Sequence, residues 1–215
     1  MASGVSSATA ERARAAVDEV LAVYAAHGAS DYIGEPVSST AHALQAAACA
    51  RAAQPPQPDA VVAGALLHDL GHLLGLQEPG KYERMGDCGV MCHEGIGAAF
   101  LERRGFPAAT HAIVRNHVQA KRYLTWRDAG YYARLSSASK TTLGFQGGPM
   151  TEAEAREFEA DPGHRTILLM RTWDEAAKVP GADVPGFEAH RDMLERLVRE
   201  ELEARERGAE GRVAS

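Results

Sequence analysis

Cysteine, aromatic residues and excess positive charge are all scarce in this 215-residue chain. Each shortage excludes something. Three cysteines, Cys49, Cys88 and Cys92, form no even disulfide framework, which points to a reducing compartment, the cytoplasm. Cys88-x3-Cys92-His93 has neither the C-x2-C spacing nor the second pair that structural zinc sites carry. A formal net charge of −6 speaks against a nucleic-acid or anionic-membrane surface, either of which normally shows a basic patch. It leaves room for a small anionic substrate, since one Lys and one Arg in a pocket suffice for that. No apolar run approaches the ~18–20 residues that span a bilayer. Met1 to Ala10 lacks the basic-then-apolar layout of a signal peptide. Aromatics make up 6% of the residues, while runs such as Ala46-Ala47-Ala48 favour helix over strand.

What is present is enough apolar residue, 45%, to bury a real core in one domain of ordinary to large size. Residues 11–27 carry Val17, Val20, Leu21 and Tyr24 on one stripe and predict a helix that stops at Gly28. Residues 30–37 are irregular, and Ser38-Ser39-Thr40 caps a helix to about Arg51. Pro55, Pro56 and Pro58 break the chain before Asp59, a good cap for a helix over 60–73. That helix is apolar on nearly all sides (Val61, Val62, Ala65, Leu66, Leu67, Leu70), as a central buried helix is. A polar loop over 75–90 precedes helices over 91–104 and 107–118. Shorter pieces follow over 123–135 and beyond Ser136-Ser137-Ala138-Ser139. Three closing helices are predicted over 151–160, 163–178 and 187–207, with loose termini. There is no strand-period alternation and no internal repeat, so the expected fold is an all-α helical bundle.

Nine histidines carry information through their placement. His68-Asp69 sits inside the apolar helix, where a charged carboxylate costs several kcal/mol unless something compensates it. A metal ion compensates it; so does a core His-Asp hydrogen bond. His42, His93 and His117 fall in other predicted helices. Asp174 sits in a helix that otherwise presents Ile167, Leu168, Met170 and Trp173. A metal site in the core of a bundle draws its ligands from several helices in this way. Imidazoles with carboxylates suit iron, zinc or manganese.

The order His, His-Asp, His, His, Asp resembles the HD-domain superfamily of helical metalloproteins, over about residues 20–180. The resemblance implies an HD-domain bundle with a central dinuclear metal site. Its ligands would be His42, His68, Asp69, His93, His117 and Asp174, with Asp69 bridging. The two histidines beyond the minimal set point to a dinuclear member, and dinuclear members are mainly phosphohydrolases or oxygenases.

Upstream of His42 the chain reads Asp31-Tyr32-Ile33-Gly34-Glu35-Pro36-Val37. Tyr-x-Gly-Glu ten residues before a ligand histidine is similar to the mixed-valent di-iron oxygenases of the PhnZ type, which cleave the C–P bond of 1-hydroxyphosphonates. By this resemblance Tyr32 occupies an iron position until substrate arrives, and Glu35 faces the substrate amine. His72, one turn after His68, would support the site. Lys121, one turn after His117, and Arg171, three residues before Asp174, form an anion clamp. Ala138-Ser139-Lys140-x-Thr142-Leu143 resembles the family's phosphonate-binding segment, which makes Ser139 and Thr142 hydroxyl donors. Trp173-Asp174-Glu175-Ala176-Ala177-Lys178 resembles the segment around the last ligand.

The implied activity uses two iron ions, Fe(II)/Fe(III), with O2 as co-substrate. It converts a small-molecule 1-hydroxyalkylphosphonate to phosphate and a carboxylic acid. A 2-amino substrate would give glycine, a 2-trimethylammonio substrate glycine betaine, and hydroxymethylphosphonate formate. An aromatic cage for a quaternary ammonium could draw on Tyr24, Tyr32, Tyr82, Tyr123 or Trp126, and the loop over 75–90 is the expected place of substrate choice. The alternatives are a dinuclear HD phosphohydrolase acting on a nucleotide or other phosphate ester, a relative of inositol oxygenase, and a catalytically dead HD module used for binding.

Overall fold

The computed structural model describes residues 2–32 and 34–213, with side chains described over 7–32 and 34–209. Eleven helices occur among these residues, and the β pairings among them are two isolated bridges, Asp31 with Ser38 and Arg84 with Val90. The architecture is therefore all-α. Helix α1 (Ala2–His27) packs on the last helix, α11 (Glu188–Val213), and both run further than the sequence predicts. The loose tail expected from Gly208 is helical to Val213; Met1, Ile33, Ala214 and Ser215 lie outside the described residues.

Helix α2 (Ser39–Ala52) starts where the Ser38 hydroxyl accepts the Ala41 amide at 3.1 Å. Its small buried face, Ala43, Ala46, Ala47 and Ala50, lets it lie against α3 (Asp59–Leu67), whose residues 61–67 are all buried. Pro58 rather than Asp59 takes the cap position of α3. The Asp59 carboxylate instead ties Arg51 at 2.5 Å and also binds Arg196, an ion pair that joins α11 to the core.

The single helix expected over 60–73 is two helices. α3 ends at Leu67, α4 (Leu70–Gln77) begins at Leu70, and the two are bent by 44°. His68 keeps helical angles, while Asp69 sits at φ −102°, ψ 10°. Burial supplies a reason: inside an unbroken apolar helix the carboxylate would meet only hydrocarbon. At the bend it faces histidines from three other directions. Gly71 makes the next contact possible, since a Cβ there would lie 2.0 Å from the His93 carbonyl oxygen. That places α4 directly on the start of α5 (His93–Arg103).

Helix α6 (Ala108–Arg127) is nine residues longer than the predicted helix at its C-terminal end and packs on α3, α5 and α10 (His164–Ala176). No Gly or Pro stands between Pro107 and Asp128, so nothing stops it after His117. Short α7 (Ala129–Arg134), α8 (Ser137–Phe145) and α9 (Glu152–Ala160) complete the set. Asp128, Ser136 and Thr151 cap these three, Thr151 with a full capping box to Glu154. No single helix is long and apolar enough to cross a membrane among the described residues; the bent α3–α4 pair passes by composition and is core.

Candidate metal centre and adjoining cavity

Four helices and the α3–α4 bend converge on Asp69. Its Oδ2 lies 3.3 Å from His68 Nε2 and 3.8 Å from His42 Nε2. Its Oδ1 lies 3.2 Å from His93 Nε2 and 3.4 Å from His117 Nε2. Two groups with metal-ligand spacing result, His42-His68-Asp69 and Asp69-His93-His117, sharing the one carboxylate. Asp174 Oδ1 adds to the first group, 3.4 Å from His42 Nε2. All six residues named from the sequence are thus brought together.

The hydrogen bonds fix which nitrogen points inward. His42, His68 and His117 each pair Nδ1 with a backbone carbonyl, those of Ala177, Ala65 and Val114, at 2.8–2.9 Å. A ring that donates Nδ1–H outward aims its Nε2 inward, the orientation second-shell bonds impose on metal-binding histidines. The inward nitrogens meet in close pairs, His42 with His68 and His93 with His117, both at 3.1 Å. Two facing lone pairs repel unless a proton or a cation lies between them. Asp174 Oδ1 and His93 Nδ1 are buried without a hydrogen-bond partner, and Glu94 Oε2, also unpartnered, stands 3.4 Å from that nitrogen. The donor set, four inward imidazole nitrogens around a shared carboxylate plus the orphaned Asp174 oxygen, fits a pair of divalent or trivalent cations.

The charge balance without metal agrees. Burial disfavours ionisation of Asp69, yet His68 and hydrogen bonds from His117, His68 and His93 hold its carboxyl well below the usual range. Burial likewise opposes ionisation of Asp174, and the Arg171 guanidinium outweighs it. His68, resisting burial beside Asp69, is lifted to about 9. A proton there does what a cation would do.

Tyr32 reaches over this centre. Its hydroxyl donates to Asp69 Oδ2 at 2.7 Å and its ring stacks on His42 at 3.8 Å. Burial and the Asp69 charge push the phenol well above its ordinary pKa, so it remains a donor. His72, on α4 rather than on the helix of His68, stacks on His93 at 3.8 Å. Its Nδ1 accepts the Val90 amide at 3.0 Å, and burial followed by the positive field of His93 keeps it neutral. Gly89, at φ +91°, permits this approach, because a Cβ would stand 2.5 Å from that nitrogen.

Beside the centre lies a narrow cavity whose lining includes Tyr32, Glu35, Asp69, His72, His93, His117, Asp174, Lys121, Ser139, Thr142 and Arg171. Lys121 Nζ donates to Thr142 Oγ1 at 2.8 Å. Burial, then the neighbouring Arg171 charge, brings its pKa down to about 7. Arg171 donates to the Ser139 hydroxyl at 3.4 Å, to Tyr131 at 2.8 Å and to Glu175 at 3.0 Å, and it binds Asp174. Two buried basic side chains and two hydroxyls therefore face one side of the metal-capable cluster.

Sequence reasoning missed Gln146 and gave Lys178 no role, and both line this cavity. The Gln146 side-chain oxygen is buried without a partner. Lys178 follows Asp174 by four residues, the offset that singled out Lys121 after His117, so the signal was there. Of the five aromatics considered for a cage, Tyr32 alone is among the residues lining the cavity. Tyr24 joins it around a neighbouring cavity of about 230 Å3. Tyr123 is buried against Phe158, Trp126 is half-exposed, and Tyr82 borders a separate groove. The loop after α4 sends Arg84, Asp87 and Gly89 to the neighbouring cavity, not to the one with Lys121.

No family model matches the chain. The chain is 39% identical, over 85% of its own length and 90% of the relative's, to 1-hydroxy-2-(trimethylamino)ethylphosphonate dioxygenase (glycine-betaine-forming) of Leisingera caerulea. It is 39% identical, over 79% of its length and 81% of the relative's, to hydroxymethylphosphonate dioxygenase of Gimesia maris. An uncharacterised protein of Acanthamoeba polyphaga mimivirus is 33% identical over 83% of this chain and 80% of its own.

Proposed function

The chain belongs to the family of phosphonate dioxygenases, and we propose that it cleaves the C–P bond of a 1-hydroxyalkylphosphonate with dioxygen, using two iron ions on His42, His68, Asp69, His93, His117 and Asp174. The net reaction balances: R–CH(OH)–PO3H2 and O2 give R–COOH and H3PO4. Bound iron would supply the electrons and Lewis acidity that dioxygen chemistry requires.

This chain's side chains supply binding, orientation and exclusion of water. Lys121 and Arg171 would hold the phosphonate oxygens by charge-assisted hydrogen bonds, with Ser139 and Thr142 completing the cradle. Arg171, anchored by Asp174, Glu175 and Tyr131, is the fixed member of the pair. Lys121, its pKa brought down to about 7, gains its proton when the anion arrives. Tyr32 blocks the centre until substrate displaces its hydroxyl from Asp69. Glu35, at the same cavity, would face the substituent on C2.

The observation that carries this reading is the Tyr32 hydroxyl on Asp69, beside a cavity lined by the buried basic side chains of Arg171 and Lys121. A phosphohydrolase has no use for a tyrosine in that position. Low-temperature EPR of anaerobically iron-loaded, partly reduced protein tests it. A coupled mixed-valent signal that changes shape with a 1-hydroxyphosphonate is expected. Full iron loading without such a signal, together with dioxygen-independent phosphate release from esters, would leave the phosphohydrolase instead.

A further inference from the structure

Lys178 stands at the cavity with its charge already committed. Its Nζ meets Glu35 Oε1 at 2.7 Å, and the two side chains are only 17% and 12% exposed. Despite partial burial, the hydrogen bond from Lys178 holds the Glu35 carboxyl below the usual range. The lysine also lies 5.8 Å from the centroid of the Tyr32 ring. Its backbone is fixed on both sides. The Ala177 carbonyl accepts His42 Nδ1 at 2.9 Å, and the Gln45 side chain holds Val179, accepting from its N–H at 3.0 Å and donating to its carbonyl at 3.1 Å. What can move is the side chain, and it swings from a clamped backbone.

The resting pair has one ammonium and one carboxylate at the edge of a site for an anion. We propose that the Lys178–Glu35 ion pair is an internal stand-in for a zwitterionic substrate: the phosphonate takes the Lys178 ammonium, the substrate's own ammonium takes Glu35, and one pair is exchanged for two. This rests on the phosphonate reading above and narrows it to substrates with a cationic group at C2. A phosphonate without that group draws Lys178 away and leaves a partly buried carboxylate with the Ser136 hydroxyl but no counter-ion, which is costly. Lys178 is thus a binding and specificity-determining residue.

Calorimetry on the iron-loaded protein under argon tests the exchange, because it reads binding without turnover. The probes are 1-hydroxy-2-aminoethylphosphonate and hydroxymethylphosphonate, which lacks the ammonium. The native protein is expected to bind the first about tenfold more tightly. Glu35→Gln frees Lys178, so it should tighten hydroxymethylphosphonate about tenfold in the native background and less than about twofold beside Lys178→Gln. Lys178→Met, which keeps the apolar stem over Tyr32, replaces Lys178→Gln if the latter does not fold. An equal effect of Glu35→Gln in both backgrounds would mean simple repulsion between carboxylate and phosphonate and would overturn the exchange. So would a Lys178 variant that binds both phosphonates as the native protein does. If neither phosphonate binds the native protein, the phosphonate reading itself fails, and the exchange with it.

Discussion

Asp69 answers to both halves of the centre, one oxygen toward His42 and His68, the other toward His93 and His117. Losing it should therefore do more than losing any single imidazole. Asp69→Asn is expected to bring metal content below about one ion per chain, while His42→Ala retains about one of about two, held by Asp69, His93 and His117. Mass-spectrometric metal analysis after desalting checks this; equal losses in the two variants would deny the bridging role. Lys121 gives a second expectation at this scale. Its pKa of about 7 lies below that of a free lysine, so before an anion binds it is protonated below about pH 7 and neutral above. A bound anion restores the proton. Phosphonate binding at about pH 8 should then take up close to one proton, falling toward none as the pH drops below about 7. Calorimetry in buffers of different ionisation enthalpy reads the uptake, and Lys121→Met should abolish the Lys121 share.

Two features at the scale of elements set where those residues meet. The first is the contact of α4 with α5 through Gly71, where a methyl group would collide with the backbone of His93. Neither backbone can give way without moving a metal-capable histidine. Gly71→Ala should cost on the order of 3 kcal/mol of stability and reduce metal loading together, and thermal melts beside metal analysis would show it. Stability lost with metal content kept would mean that α5 shifts without carrying His93. The second is the bend between α3 and α4, and here the sequence was only partly legible. Apolar composition marked residues 60–73 as a buried helix and His68-Asp69 as its anomaly, but neither Gly nor Pro stands between Leu67 and Leu70, and Gly71 falls inside α4. The break follows from tertiary demands on a buried carboxylate. Helix α6 fails the other way: the sequence has no stop after His117, and the run to Arg127 was underestimated. Capping positions were easier, since Ser38, Ser136 and Thr151 act through side chains that name themselves.

Across the whole molecule the six metal-capable residues, separated by up to 132 positions, lie within one cluster because α2, α5, α6 and α10 all pack around the α3–α4 bend. Order along the chain was readable as a resemblance; the distances that make it chemistry were not. Lys178 shows the limit clearly. Its bond to Glu35 spans 143 residues, and only the fold brings the two together. The molecule carries a formal charge of −6 yet turns Lys121, Arg171 and Lys178 toward one cavity, so its affinity for anions is local. The central claim is that this cavity delivers a phosphonate to a dioxygen-using metal pair. The most direct test follows phosphate release from 1-hydroxy-2-aminoethylphosphonate and from hydroxymethylphosphonate by the iron-loaded protein, with dissolved oxygen recorded in the same vessel and labelled dioxygen in a parallel one. The account predicts phosphate and oxygen consumption in a ratio of about one to one, label in the products, and no release under argon, as the balance of the reaction requires. Release that continues at the same rate under argon would contradict it.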